Sequence, residues 1–157
     1  MTGKTHTYSA SVTWTGNTGT GTSGYRAYDR EHVIHIDRKP DITGSADPAF
    51  RGDATRHNPE DLLIASLSTC HMLWYLHLAT DAGVIVVAYT DTATATMVEH
   101  AARGGYFIEA VLHPQVTIAA GSDAALAAHL HQDAHKFCYV ANSLNFPVRC
   151  EPVVRTA

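Results

Sequence analysis

Between Asn58 and Gly83 the chain carries one long segment that is apolar on almost every side, and this dictates most of what the rest can do. Asn58-Pro59-Glu60-Asp61 has the chemistry of a helix start. Asn serves as N-cap, Pro suits the first helical position, and two acids lie in the first turn, where the macrodipole favours them. Leu62, Leu63, Ile64, Leu67, Met72, Leu73, Trp74, Leu76 and Leu78 then cover nearly all faces as far as about Asp81, and Gly83 ends the segment. A helix apolar all round has to be surrounded by protein. The stretch Leu62 to Leu78 is about the length that spans a bilayer, but Ser66, Ser68, Thr69, His71 and His77 interrupt it. A buried core helix is the expectation, with no membrane partner.

The flanking segments read as strands and one further helix. Tyr8, Ala10, Val12 and Trp14 alternate with polar residues from Thr7 to Thr15, the period of a strand with one buried face. One or two more strands follow between Tyr25 and Asp37, best at His32 to Ile36, and residues 38 to 57 form a long connection of the kind that usually carries function or packs on a second subunit. Beyond the central helix, Val84 to Val98 and Tyr106 to Ile118 alternate as a hairpin. Ser122-Asp123 opens a second helix, whose apolar steps continue through Phe137 and Cys138 to Ala141, and Phe146 to Val154 makes a last strand. Strands grouped in hairpins, with no repeated βαβ unit, predict an α+β fold with antiparallel pairing around the long helix. The chain's 157 residues, 45% of them apolar, suit a single domain over 1–157.

Charge and cysteine content narrow the function. Eleven Lys plus Arg stand against fifteen Asp plus Glu, a formal charge of -4, and no block of like charge is present, which argues against a nucleic-acid surface. Met1 to His6 runs straight into polar alternation without the apolar stretch of a secretory signal, so a cytoplasmic protein is expected. Three cysteines, Cys70, Cys138 and Cys150, are too few for a disulfide framework, and one at least must remain unpaired. Their interest is therefore chemical.

Three constellations deserve weighing as sites. Gly19-Thr20-Gly21-Thr22-Ser23-Gly24 has the spacing of a dinucleotide loop, but Tyr25 to Arg30 lacks the helical period that must follow, and a hairpin connection is expected instead. His131 and His135 stand four apart on the second helix, with His129 and Cys138 close in sequence. That spacing can place two imidazoles on one metal, yet no further ligand completes a set, so neither a metal nor a cofactor is assigned. Cys70, between Thr69 and His71, lies in the core helix, and Cys138 on the apolar face of the other. If both helices share one core the sulfurs can approach, and a thiol in such surroundings needs a nearby cation to become reactive.

The run Asn58-Pro59-Glu60-Asp61-Leu62-Leu63, followed by Ala65-Ser66-Leu67-Ser68-Thr69-Cys70-His71-Met72, resembles the first cysteine motif of the OsmC/Ohr family, the osmotically inducible and organic-hydroperoxide-resistance proteins. Ala134-His135-Lys136-Phe137-Cys138, with Ser143 and Pro147-Val148, resembles its second. The resemblance implies an OsmC-like intertwined homodimer with its site at the subunit interface, and a thiol-dependent peroxidase. Cys70 would attack the peroxide and become a sulfenic acid, Cys138 would resolve it as a disulfide, and a dithiol, lipoyl-type in one branch of the family, would restore both thiols. Cys150 matches neither motif and is read as structural.

The same resemblance implies an arginine that holds the thiolate and a glutamate that holds the arginine. Glu60 matches the glutamate. Ten helical residues rise about 15 Å, so Glu60 would act on Cys70 through a long Arg side chain or across the dimer. Arg51 resembles the OsmC-branch arginine, while the Ohr branch takes its own from further upstream, near Arg26 or Arg30. Met72, Leu73, Trp74 and Phe137 flank the cysteines and would suit organic hydroperoxides over hydrogen peroxide. The competing reading is a non-enzymatic metal or small-ligand binding protein that uses the histidine-rich second helix. A Cys–His hydrolase is a third, disfavoured because His71 points about 100° away from Cys70.

Overall fold

Asn58 starts the central helix as its sequence predicts. Its Oδ1 accepts from the Asp61 N–H at 2.7 Å and Asp61 Oδ2 accepts from the Asn58 N–H at 3.5 Å, a reciprocal cap that ties off two orphan donors. The helix, α1, runs Pro59–Asp81 in a computed structural model that describes residues 3–102 and 104–157. At its far end Gly83 takes φ +73°, the Gly83 N–H bonds the Thr80 carbonyl and the Val84 N–H bonds the Ala79 carbonyl. That is a Schellman stop, and it needs a residue free to turn left-handed.

The chain separates into two compact units, residues 1–62 and 63–157. In the first, β1 (Ser11–Trp14), β2 (His32–His35) and β3 (Ile42–Gly44) form an antiparallel sheet in that order. The glycine-rich residues between β1 and β2 form turns, with Asn17 Oδ1 accepting from the N–H groups of Gly19 and Gly21. No helix opens at Gly24, as expected. The connection 38–57 contains β3 and a 3-10 turn, Pro48–Phe50. Gly52 lets that loop close, since a Cβ there would collide with the Ala46 carbonyl. β1 departs from its half-buried expectation: its four residues are all exposed, Val12 at 67% and neighbouring Tyr8 at 89%.

The second unit holds the rest of α1, six strands and α2 (Ala124–Phe137). Its strands are three chain passes, each broken once: β4 (Val86–Asp91) with β5 (Thr94–His100), β6 (Gly104–Leu112) with β7 (Pro114–Ile118), and β8 (Val148–Cys150) with β9 (Val153–Thr156). The breaks give two three-stranded sheets, β4-β7-β9 and β5-β6-β8. The expected hairpin is present, but the sheets are mixed, because β8 pairs parallel with β6 and β9 parallel with β7. The cause is α2, a crossover that carries the chain back before the last pass and so reverses the sense of pairing. The fold is α+β.

Two apolar clusters fill this unit. One gathers Tyr75, Ala79, Val84, Val116, Ile118, Ala127, Leu130 and Ala134, and the other Leu67, Ala110, Leu112 and Cys138. The full enclosure expected of α1 is not realised within one chain. Only Leu67, His71, Tyr75 and Ala79 are buried, a single stripe at four-residue steps, while Leu73 is 58% exposed.

Candidate functional site

α2 ends one residue before Cys138, earlier than its apolar period suggests. Asp123 caps its start by accepting from Ala125 and Leu126, and Cys138 leaves the helix at ψ 108° while its N–H still bonds the Ala134 carbonyl. A separate 3-10 turn, Ala141–Ser143, follows. Cys138 therefore sits in the turn after the helix rather than on its apolar face. Its side chain is buried in the Leu67–Ala110–Leu112 cluster, against which Cys70 also packs. Both thiols are free. The chain thus brings together two sulfurs 68 positions apart in sequence, one from mid-helix and one from a helix end.

Burial pushes the Cys138 thiol up to about 11, the Ala141 N–H that points at Sγ from 3.4 Å works against this, and the adjacent Cys70 sulfur adds to the rise. At neutral pH Cys138 keeps its proton. Aromatic rings stand beside the pair. Trp74 stacks on Phe137 at 5.3 Å and meets Tyr139 edge-on at 5.5 Å, and these two residues flank Cys138 in sequence. Phe137 and Tyr139 are 50% and 71% exposed, so one side of this apolar wall is open. Ser68, two residues before Cys70, donates to Asp91, whose other carboxylate oxygen accepts the His113 N–H at 2.7 Å.

In the first unit, Arg30 and Glu60 line one cavity of about 320 Å³ together with Trp14, Tyr28 and His32. Arg30 is held firmly. Its guanidinium donates to the carbonyls of Tyr28 and Tyr25 at 2.6 and 2.8 Å and lies over both tyrosine rings, 4.2 and 4.5 Å from their centroids. Glu60 Oε2 is buried and without a hydrogen-bond partner among the described residues. Arg51 follows Phe50, which lines the same cavity, but is itself exposed, at φ 65°, closing the 3-10 turn through its N–H to Pro48. Arg26 is exposed as well. Periodicity could not separate these three arginines, because what distinguishes Arg30 is a pair of tyrosine faces and carbonyls in an irregular loop.

The histidines of α2 do not act as one set. His129 is exposed and 3.9 Å from Asp133, His135 is half-buried, and His131 is buried against His71 of α1. Cys150, read from sequence as structural, has its sulfur 3.6 Å from His71 Nε2. Residues 60 and 79 positions apart give no local signal of such a meeting.

Comparison with known proteins bears on this arrangement. The family model described as OsmC-like protein matches residues 52–152, which include both cysteines and Glu60. No curated protein matches the sequence. Among solved structures, an OsmC-like protein of unknown function from Vibrio cholerae superposes with a TM-score of 0.86 at 29% identity, covering 95% of this chain and 100% of its own. An organic hydroperoxide resistance protein OsmC from Legionella pneumophila gives a TM-score of 0.70 at 17% identity, covering 97% and 98%. An organic hydroperoxide resistance protein from Elizabethkingia anophelis, crystallised with thiocyanate, gives 0.69 at 19%, covering 98% and 99%. The last two likenesses concern the fold alone. With a family model spanning most of the chain and a fold shared along nearly its whole length, the chain belongs to the OsmC-like family.

Proposed function

We propose that the protein is a thiol-dependent peroxidase that reduces organic hydroperoxides. The observation that carries the reading is the pairing of Cys70 and Cys138, both free, in one apolar cluster. The Cys70 thiolate attacks the terminal peroxide oxygen. The O–O bond breaks, the alkoxide leaves and takes a proton to become an alcohol, and Cys70 becomes a sulfenic acid. The Cys138 sulfur then attacks the sulfenic sulfur. A disulfide forms, and the hydroxyl departs as water with the Cys138 proton. A small dithiol returns two electrons by exchange, emerging as its own disulfide.

Arg30 is our choice for the cation that holds the thiolate, with Glu60 orienting it. The support is their shared cavity and the clamp on the guanidinium. Arg51 keeps that role as the alternative. A homodimer that completes the site accords with the exposure of Tyr8, Val12, Leu73 and Tyr139 in the single chain. The Trp74–Phe137–Tyr139 wall favours an organic substrate over hydrogen peroxide. We place the protein in the cytoplasm, where dithiol reductants are available.

The test is consumption of cumene hydroperoxide with dihydrolipoamide as reductant. Wild type should turn over, Cys70→Ser should not, and Cys138→Ser should reduce a single equivalent and leave a sulfenic acid that dimedone traps. A Cys70→Ser protein as active as wild type refutes the reading.

A further inference from the structure

His71 of α1, His131 of α2 and Cys150 at the end of β8 place three ligand atoms within 4.8 Å of one another, in a largely buried position. His71 Nε2 lies 3.1 Å from His131 Nδ1 and 3.6 Å from the Cys150 sulfur. Around a tetrahedral zinc ion, with Zn–N near 2.0 Å and Zn–S near 2.3 Å, neighbouring ligand atoms stand about 3.3 Å apart for N···N and about 3.5 Å for N···S. Two of the three separations thus already match edges of a coordination polyhedron, and the third lies within 4.8 Å.

From this geometry we propose that His71, His131 and Cys150 form a binding site for a zinc-class divalent ion, distinct from the Cys70–Cys138 pair and independent of its peroxidase chemistry. Hydrogen bonding alone satisfies the cluster poorly. Two neutral imidazoles facing through Nε2 and Nδ1 share one proton between them, and the outer nitrogens, His71 Nδ1 and His131 Nε2, have no partner among the described residues. A cation seated beside the two facing nitrogens, on the Cys150 side, would take a lone pair from each ring once the nearly coplanar rings tilt toward it, and would leave the ring protons on the outer nitrogens. Imidazole and thiolate together are the donor set that zinc prefers over calcium or magnesium.

The surroundings suit the ion. Tyr75 stacks on the His131 ring at 3.9 Å and holds its plane. His131 and Cys150 also line a cavity of about 410 Å³ bordered by Gln132, His135 and Lys136, which gives an entry route and leaves a fourth position for water or a small anion. Three protein ligands and one exchangeable position is the pattern of an open rather than a closed zinc site.

Cobalt(II) is the probe, with the Cys70→Ser/Cys138→Ser protein as host so that the redox thiols contribute nothing. One equivalent should bind and show thiolate-to-cobalt charge transfer in the near ultraviolet, with intense visible bands of four-coordination, and zinc should displace it. In that background Cys150→Ser should abolish the charge-transfer band, and His131→Gln should weaken binding about 100-fold or more, with far-ultraviolet dichroism reporting the fold of each. Should either variant fail to fold, the other decides. No cobalt bound by the host, or a band that survives Cys150→Ser or persists at full affinity in His131→Gln, overturns the site. Because the host lacks both peroxidatic thiols, hydroperoxide turnover by the wild type can fail or succeed without touching this result.

Discussion

Leu67 sits one helical turn before Cys70, fully buried, and packs with Ala110, Leu112 and Cys138. Replacing it by alanine deletes three buried carbons from the floor beneath the cysteine pair. At about 0.8 kcal/mol per carbon the transfer loss is about 2 to 3 kcal/mol. The hole left behind adds to this, since helix and sheet cannot fully collapse onto it, and the total comes to about 3 to 4 kcal/mol. Urea unfolding of the reduced protein, followed by tryptophan fluorescence at one fixed protein concentration, measures the loss as a lower midpoint at unchanged slope. The same slack should loosen the seat of Cys138, so closure of the Cys70–Cys138 disulfide after one equivalent of hydroperoxide should slow, with the sulfenic acid trapped in higher yield. A stability loss under about 1 kcal/mol would mean that Leu67 is not part of a close-packed core, and the packing that unites the two sulfurs would lose its basis.

Arg30→Lys keeps the charge but cannot bridge two carbonyls and two tyrosine faces, so it should lower kcat/KM for hydroperoxide about tenfold or more, while Arg51→Ala leaves it within about twofold. The reverse ranking would move the cation to Arg51. Cys138 holds its proton to about 11 in the folded protein against an ordinary value near 9, so the unfolded chain ionises first as pH rises. Its contribution to stability is complete below pH 9 and is lost as pH climbs through 11. The urea midpoint of reduced wild type should therefore fall more steeply from pH 9 to 11 than that of Cys138→Ser, and parallel curves would contradict the assignment. Asn58→Ala removes the side-chain half of the helix cap and should cost about 1 kcal/mol in thermal unfolding, with Asn58→Asp largely sparing it.

Features carried by short-range chemistry are legible in the sequence. The Asn58–Pro59 start, the Gly83 stop, the hairpin and the Asp123 cap each depend on a few adjacent residues, and each is where the sequence puts it. The cysteine pair was legible through motif resemblance, and its meeting depends on two elements sharing one core. Features set by distant neighbours were not. Parallel pairing of the last pass is a consequence of α2 as a crossover, which alternation within β8 or β9 cannot express. The clamp on Arg30 depends on a loop conformation, and the approach of Cys150 to His71 on β8 and α1 converging. The exposed flank of α1 shows the opposite limit: nine apolar positions announce that something must cover the helix, but not that a single chain covers only one stripe.

Every strand pass in the second unit belongs to two sheets at once. The three interruptions, at Thr92-Ala93, at His113 and at Glu151-Pro152, fall between partners that stay in register on both sides. Neither three-stranded ladder can fray by itself, because peeling one tugs on the same backbone that anchors the other. Amide protons in β4, β7 and β9 should accordingly exchange in concert with those in β5, β6 and β8, as a single cooperative block rather than two.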